Sequence, residues 1–129
     1  MADVVRDVLD LRESTEWKPP YAGADALAAF DARGVVRMNV PVADGGAPSG
    51  GELTTAVTFI AQALEDPAAR VYVHCRAGEE RTAAVLVAWY ARASGMDIES
   101  ALAALRKGRR ALRMLPGQED AVREWLADG

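Results

Sequence analysis

Cysteine is nearly absent from this chain: there is one in 129 residues. An internal disulfide and a cysteine-built zinc centre are therefore excluded. There is also a single histidine, so a metal centre would have to rest on carboxylates; no metal and no other cofactor is expected. Aromatic residues make up only 6% of the chain while alanine is abundant, which favours helices packed closely on a sheet. Long apolar runs are missing too, and none approaches the length of a membrane span. The stretch Met1-Ala2-Asp3-Val4-Val5-Arg6-Asp7 is too charged for a secretory leader. There is no excess of positive charge: the net charge is −4, which argues against wholesale binding to nucleic acid or to an anionic membrane. Together these absences predict a cytoplasmic protein with no nucleic-acid partner and no membrane insertion; a monomer is expected.

What is present suits a single domain spanning residues 1–129. Half of the residues are hydrophobic, enough for one core at this length. Repeats, low-complexity tracts and long linkers do not occur. Val4–Leu11 reads as a strand and Arg12–Tyr21 as a polar loop. Ala24–Ala32 reads as a short helix stopped by Gly34, and Val35–Val40 as a second strand. Pro41–Gly50 is a loop rich in Pro, Gly and Asp. Ser49 and Glu52 have capping-box spacing. Leu53, Ala56, Val57, Ile60, Ala61 and Leu64 follow at helical spacing, up to Asp66-Pro67. Val71-Tyr72-Val73 is a short strand that runs into Cys75. Thr82–Ala93 is a helix apolar on nearly every side, as a central buried helix should be, and Gly95 stops it. Asp97 caps a helix over Ile98–Arg106, and Gly117–Leu126 forms the last one. Strands alternating with helices predict an α/β fold. The expected form is one three-layer domain, with a central sheet of four to five mostly parallel strands flanked by helices.

The chemistry concentrates in His74-Cys75-Arg76-Ala77-Gly78-Glu79-Glu80-Arg81-Thr82, which joins a strand to the buried helix. A loop of this length can curl so that successive backbone N–H groups of Arg76, Ala77, Gly78, Glu79, Glu80 and Arg81 point at one centre. That makes an anion cradle at a helix N-terminus. Gly78 allows a turn that a side chain would hinder. The Arg81 guanidinium can grip two phosphoryl oxygens as a fork. The amides and the helix dipole that bind the anion also favour a thiolate at Cys75, so the predicted reaction is phosphoryl transfer to sulfur. Cys75 attacks phosphorus and forms a cysteinyl-phosphate, while the amides and Arg81 stabilise the equatorial oxygens. Thr82 can donate a hydrogen bond to the departing sulfur. His74 orients the loop through backbone contacts. The plainer reading of Cys75, a buried cysteine at a strand end, leaves Gly78, Arg81 and Thr82 unexplained.

His-Cys, five residues, then Arg-Thr resembles the signature of the protein tyrosine phosphatase superfamily. Asn39-Val40-Pro41-Val42-Ala43-Asp44-Gly45-Gly46-Ala47-Pro48 is similar to the general-acid loop of its small dual-specificity members. The likeness continues through Ala101–Arg109 and Pro116-Gly117-Gln118. It implies a phosphatase P-loop and a substrate that is a phosphorylated protein or a small phosphate monoester. It also implies an acid at Asp44, which would protonate the leaving oxygen and whose carboxylate would then activate water. The plainer reading of Asp44 is a turn residue ahead of Gly45-Gly46. Asp66 is a rival acid, but Asp66-Pro67 is better explained as helix punctuation. Gln118 resembles a family position near the pocket that helps place water; a plain helix-start glutamine is the alternative.

Glu79-Glu80 departs from the family pattern, in which small residues are common. One phosphoinositide-active bacterial group carries Lys-Asp there, and that lysine is absent at position 79. Glu80 is expected to hold Arg81 or to pair with Arg76. Arg106, Arg109, Arg110 and Arg113 would share a face if their helix continued past Gly108, making a second anion site; a solvated helix end is the plainer reading. Trp17, Lys18 and Tyr21 fall where the family borders its active-site mouth, with packing against the domain as the plainer reading, and Trp89 and Tyr90 read as core. Two other functions remain as alternatives. One is a rhodanese-like sulfurtransferase, suggested by Val8-Leu9-Asp10-Leu11-Arg12-Glu13. The other is a phosphoinositide or small-molecule phosphatase on the same fold.

Overall fold

The computed structural model describes residues 7–12, 36–43, 45–67, 70–75 and 80–128. The expected helix at Ala24–Ala32, its stop at Gly34, and Trp17, Lys18 and Tyr21 lie outside the described residues. The described sheet has three strands: β1 (Asp7–Asp10), β2 (Val36–Asn39) and β3 (Val71–His74). Their order is β2-β1-β3, and both pairings are parallel. Three strands of the expected four or five are thus among the described residues. In register, Asp10 lies beside Asn39 on one side and His74 on the other. All three strands therefore end at the same edge, where open parallel sheets bind ligands.

Helix α1 (Gly50–Ala63) starts with the predicted capping box. Ser49 Oγ accepts from the Glu52 N–H at 3.1 Å, and Glu52 Oε1 accepts from the Ser49 N–H at 2.8 Å. Its Leu53, Ala56, Val57 and Ile60 face is buried. Helix α2 (Glu80–Ser94) is the central helix, packed against α1 and against the two helices that follow. It starts two residues earlier than the apolar pattern suggests, because the polar Arg81 and Thr82 are themselves buried in its first turn. Gly95 ends it in the left-handed region at φ 76°, where a glycine carries no Cβ penalty.

Helix α3 (Ile98–Arg106) matches the predicted bounds. The Asp97 carboxylate caps it, accepting from the Ser100 N–H at 2.7 Å. That bond, helped by Arg123, holds the Asp97 carboxyl below its ordinary range. The stabilisation this gives is present above the ordinary carboxylate value and is lost as the pH falls through the lowered one. Because the helix stops at Arg106, the arginines beyond Gly108 do not continue its face. Arg106, Arg109, Arg110 and Arg113 are all exposed, as is Lys107.

Helix α4 (Pro116–Asp128) begins with proline at its first helical position. Trp125 of α4 ties three helices together. It is 7% exposed, its indole N–H donates to Thr54 Oγ1 at 3.0 Å, and the Arg92 guanidinium lies 3.6 Å from its ring centroid. Trp125→Ala is expected to cost about 3–5 kcal/mol, read as a lower midpoint in chemical denaturation. Trp89 and Tyr90 are half-buried against the core and meet edge to face with centroids 5.8 Å apart.

Candidate active site

β3 delivers Cys75 to the carboxyl edge of the sheet, and α2 begins five residues later at Glu80. Cys75 is buried, 6% exposed, and belongs to the main hydrophobic cluster. Thr82, fully buried in the first turn of α2, donates its hydroxyl to Cys75 Sγ at 3.3 Å. One turn of helix thus fixes a hydrogen bond to the chain's sole sulfhydryl. Arg76, Ala77, Gly78 and Glu79, the side chain of His74, and Asp44 lie outside the described residues.

Arg81 is 1% exposed and reaches across to the ends of the other two strands. Its Nη1 donates to the Val42 carbonyl at 2.9 Å and to the Leu11 carbonyl at 3.3 Å. Those two segments run side by side past the sheet: the Val40 N–H donates to Asp10 O at 2.9 Å and the Val42 N–H to Leu11 O at 3.0 Å. Val42 opens the segment in which Asp44 falls, so Arg81 joins the cysteine loop to the expected acid loop.

A polar group at the ends of β1 and β2 adjoins this junction, one that no motif in the sequence points to. Asp10 is fully buried at the end of β1. It accepts from Arg12 Nε at 3.0 Å, from Arg12 Nη2 at 2.9 Å and from the Arg12 N–H at 2.9 Å. Asn39 Nδ2 donates to Asp10 O at 2.8 Å and to Arg12 O at 3.0 Å. A carboxylate following the apolar Val8-Leu9 pair, with arginine two residues on and therefore on the same face, is the signal that would have revealed it. A buried charge of this kind has to be paired.

Gln118, 1% exposed, sits in the first turn of α4. Its Oε1 accepts from the Leu115 N–H at 2.9 Å and its Nε2 donates to the Gly46 carbonyl at 3.0 Å. Glu80 pairs with Arg113, 3.1 Å away. That corrects the expectation of a Glu80–Arg81 contact: Arg81 turns inward to backbone carbonyls, while Glu80 meets a cation arriving from the segment before α4.

Strand-end cysteine, buried arginine and helix-start threonine on a parallel sheet define a cysteine-based phosphatase of the protein tyrosine phosphatase type. The model of the dual specificity phosphatase catalytic domain matches residues 8–127. The chain belongs to that family. Among solved structures, Tk-PTP in the active form is 27% identical with a TM-score of 0.81, covering 96% of this chain and 80% of that one. PTPMT1 in complex with PI(5)P is 24% identical with a TM-score of 0.83, covering 96% and 78%. Kinase associated phosphatase is 20% identical with a TM-score of 0.83, covering 96% and 70%. The last two show the shared fold. The family match over nearly the whole chain sets aside the sulfurtransferase alternative. Among the described residues no helix is long and apolar enough to cross a membrane.

Proposed function

We propose that this phosphatase hydrolyses phosphate monoesters with Cys75 as nucleophile, Arg81 and the loop amides as the phosphoryl clamp, and Asp44 as acid and then base. The Thr82–Cys75 hydrogen bond of 3.3 Å carries the reading. It identifies the sulfur to which a donor has been supplied, and Arg81 is the residue immediately before that donor. In the first step sulfur attacks phosphorus, the bond from phosphorus to the ester oxygen breaks, and the Asp44 proton goes to the departing oxygen. In the second step the Asp44 carboxylate takes a proton from water as its oxygen attacks phosphorus. The sulfur–phosphorus bond then breaks, and Thr82 Oγ1 donates to the released sulfur. No step calls for a metal. A reducing cytoplasm suits a chain whose function hangs on one thiol.

Asp44→Asn is expected to lower kcat/KM by about 10²–10⁴-fold on alkyl and poor aryl leaving groups. On aryl phosphates whose leaving group departs without a proton, kcat/KM is expected to change little. Equal losses on both would remove Asp44 from the acid role.

The substrates we favour are phosphotyrosine and phosphoserine or phosphothreonine in proteins. A second reading, a phosphoinositide, has two observations in its favour: the likeness to PTPMT1, whose structure holds PI(5)P, and the exposed cations Arg106, Lys107, Arg109 and Arg110. Kinetics on phosphopeptides against inositol phospholipids in vesicles separates the two. The phosphopeptide reading predicts the higher kcat/KM on the peptides.

A further inference from the structure

The described residues on either side of position 44 are each held by a buried side chain from a helix start. The Gly46 N–H donates to the Ala43 carbonyl at 2.7 Å, which closes the turn. Gly45 occupies the left-handed region at φ 78°. Gly46 is tightly placed: an added Cβ would stand 3.0 Å from the Ala43 carbonyl oxygen and 3.2 Å from the Ala43 Cβ, so that Ala43 would have to give way by a few tenths of an ångström. Two residues before position 44, the Val42 carbonyl is taken by Arg81 Nη1 at 2.9 Å. Two residues after it, the Gly46 carbonyl is taken by Gln118 Nε2 at 3.0 Å. Both side chains are 1% exposed, and each comes from the first turn of its helix.

We propose that Gln118 is a positioning residue for the general acid, holding the exit of the acid turn against the catalytic core. This rests on the reading of Asp44 as the acid. The amide is suited to the task because its two ends do different work. Oε1 satisfies the Leu115 N–H, as an N3 glutamine does at a helix start. That bond fixes the side-chain orientation, so Nε2 is aimed at Gly46 O. The amide thus holds the carbonyl two residues after position 44, and the guanidinium holds the one two residues before it. With the Val42 and Gly46 carbonyls both held, the segment that carries the proposed acid begins and ends at fixed points, which lowers the cost of ordering it for reaction. On this proposal Gln118 acts through the turn rather than on the attacking water.

The two roles separate in kinetics. A water-placing glutamine acts on breakdown of the cysteinyl-phosphate, so its loss lowers kcat and leaves kcat/KM unchanged. An acid-positioning glutamine acts on formation of that species with poor leaving groups, so its loss lowers kcat/KM there. Gln118→Glu is the informative variant. It keeps an acceptor for the Leu115 N–H and suits a helix N-terminus, but it removes the donor to Gly46. The expected result is a fall of about 10–100-fold in kcat/KM on poor leaving groups, a change of less than about threefold on good ones, and no further loss when Asp44→Asn is added. Binding of orthovanadate, which reads the cysteine loop alone, should stay within about threefold of wild type.

A uniform loss across leaving groups, a kcat-only effect, or full additivity with Asp44→Asn would overturn the proposal. If Asp44→Asn is itself insensitive to the leaving group, the acid reading fails and this inference falls with it. If Asp44→Asn is sensitive and Gln118→Glu is not, only the anchor fails. Should Gln118→Glu not fold, Gly46→Ala tests the same device from the other partner. It displaces the turn by steric contact and should give the same leaving-group split; a uniform effect there would likewise overturn the proposal.

Discussion

Cys75→Ser is expected to lower kcat by a factor on the order of 10⁵ or more on every phosphate monoester, whatever its leaving group. The reason lies in the chain's composition as much as in its fold. There is one cysteine, so no other thiol can take over. The serine hydroxyl at that position is a far weaker nucleophile and has no adjacent general base assigned to it. The hydrogen bond from Thr82 Oγ1, at 3.3 Å from sulfur, would go to an oxygen that gains nothing from it until it carries charge. Binding should survive, because the backbone cradle and Arg81 are left in place. A Kd for phosphopeptide close to the wild-type KM, with turnover gone, is the expected pair of results. Turnover within tenfold of wild type would take the nucleophile role away from Cys75.

Arg81→Lys carries the second largest effect, a loss of about 10³-fold or more in kcat/KM. Lysine keeps the charge and loses the planar fork. In this protein it also loses the shape that lets Nη1 serve both the Val42 and Leu11 carbonyls, at 2.9 and 3.3 Å. The loss should therefore appear with good and poor leaving groups alike, since both the phosphoryl clamp and the seat of the acid segment are disturbed. That distinguishes it from Asp44→Asn, which acts on poor leaving groups. Arg81→Ala should in addition lower stability by about 1–3 kcal/mol, because a backbone carbonyl of the buried Val42 is left without its partner. Leu11 O keeps the Val42 N–H, so the carbonyl at stake is that of Val42.

Features encoded within a few residues were legible in the sequence. Ser49 with Glu52, Asp97 with Ser100, and Gly95 at a helix end each act across one helical turn, and the structure has all three. Proline at the first position of α4 was passed over, so that helix starts at Pro116 instead of Gly117. The cysteine loop was legible because strand, nucleophile, glycine, arginine and helix start are contiguous. What joins distant segments was not. Gln118 meets Gly46 across 72 positions, Arg81 meets Val42 across 39, and Arg113 meets Glu80 across 33. Each of these bonds uses a backbone carbonyl or a long flexible side chain, and neither has a spacing that a single sequence displays. The Asp10–Arg12 pair was a nearer miss. Its residues are two apart at the end of β1, and the strand pattern alone does not show that a buried Asp10 needs a cation to neutralise it.

The most direct test is to trap the intermediate. Wild-type protein is mixed with a good aryl phosphate, quenched in acid within the first turnover, digested and examined by mass spectrometry. One phosphoryl group should be found on the peptide containing Cys75. It should be absent after chase with cold buffer, and absent in Cys75→Ser. In Asp44→Asn it should accumulate, because the water step has lost its base. Release of phosphate at the wild-type rate with no phosphoryl group ever found on Cys75, or with the group found on another residue, would contradict the account.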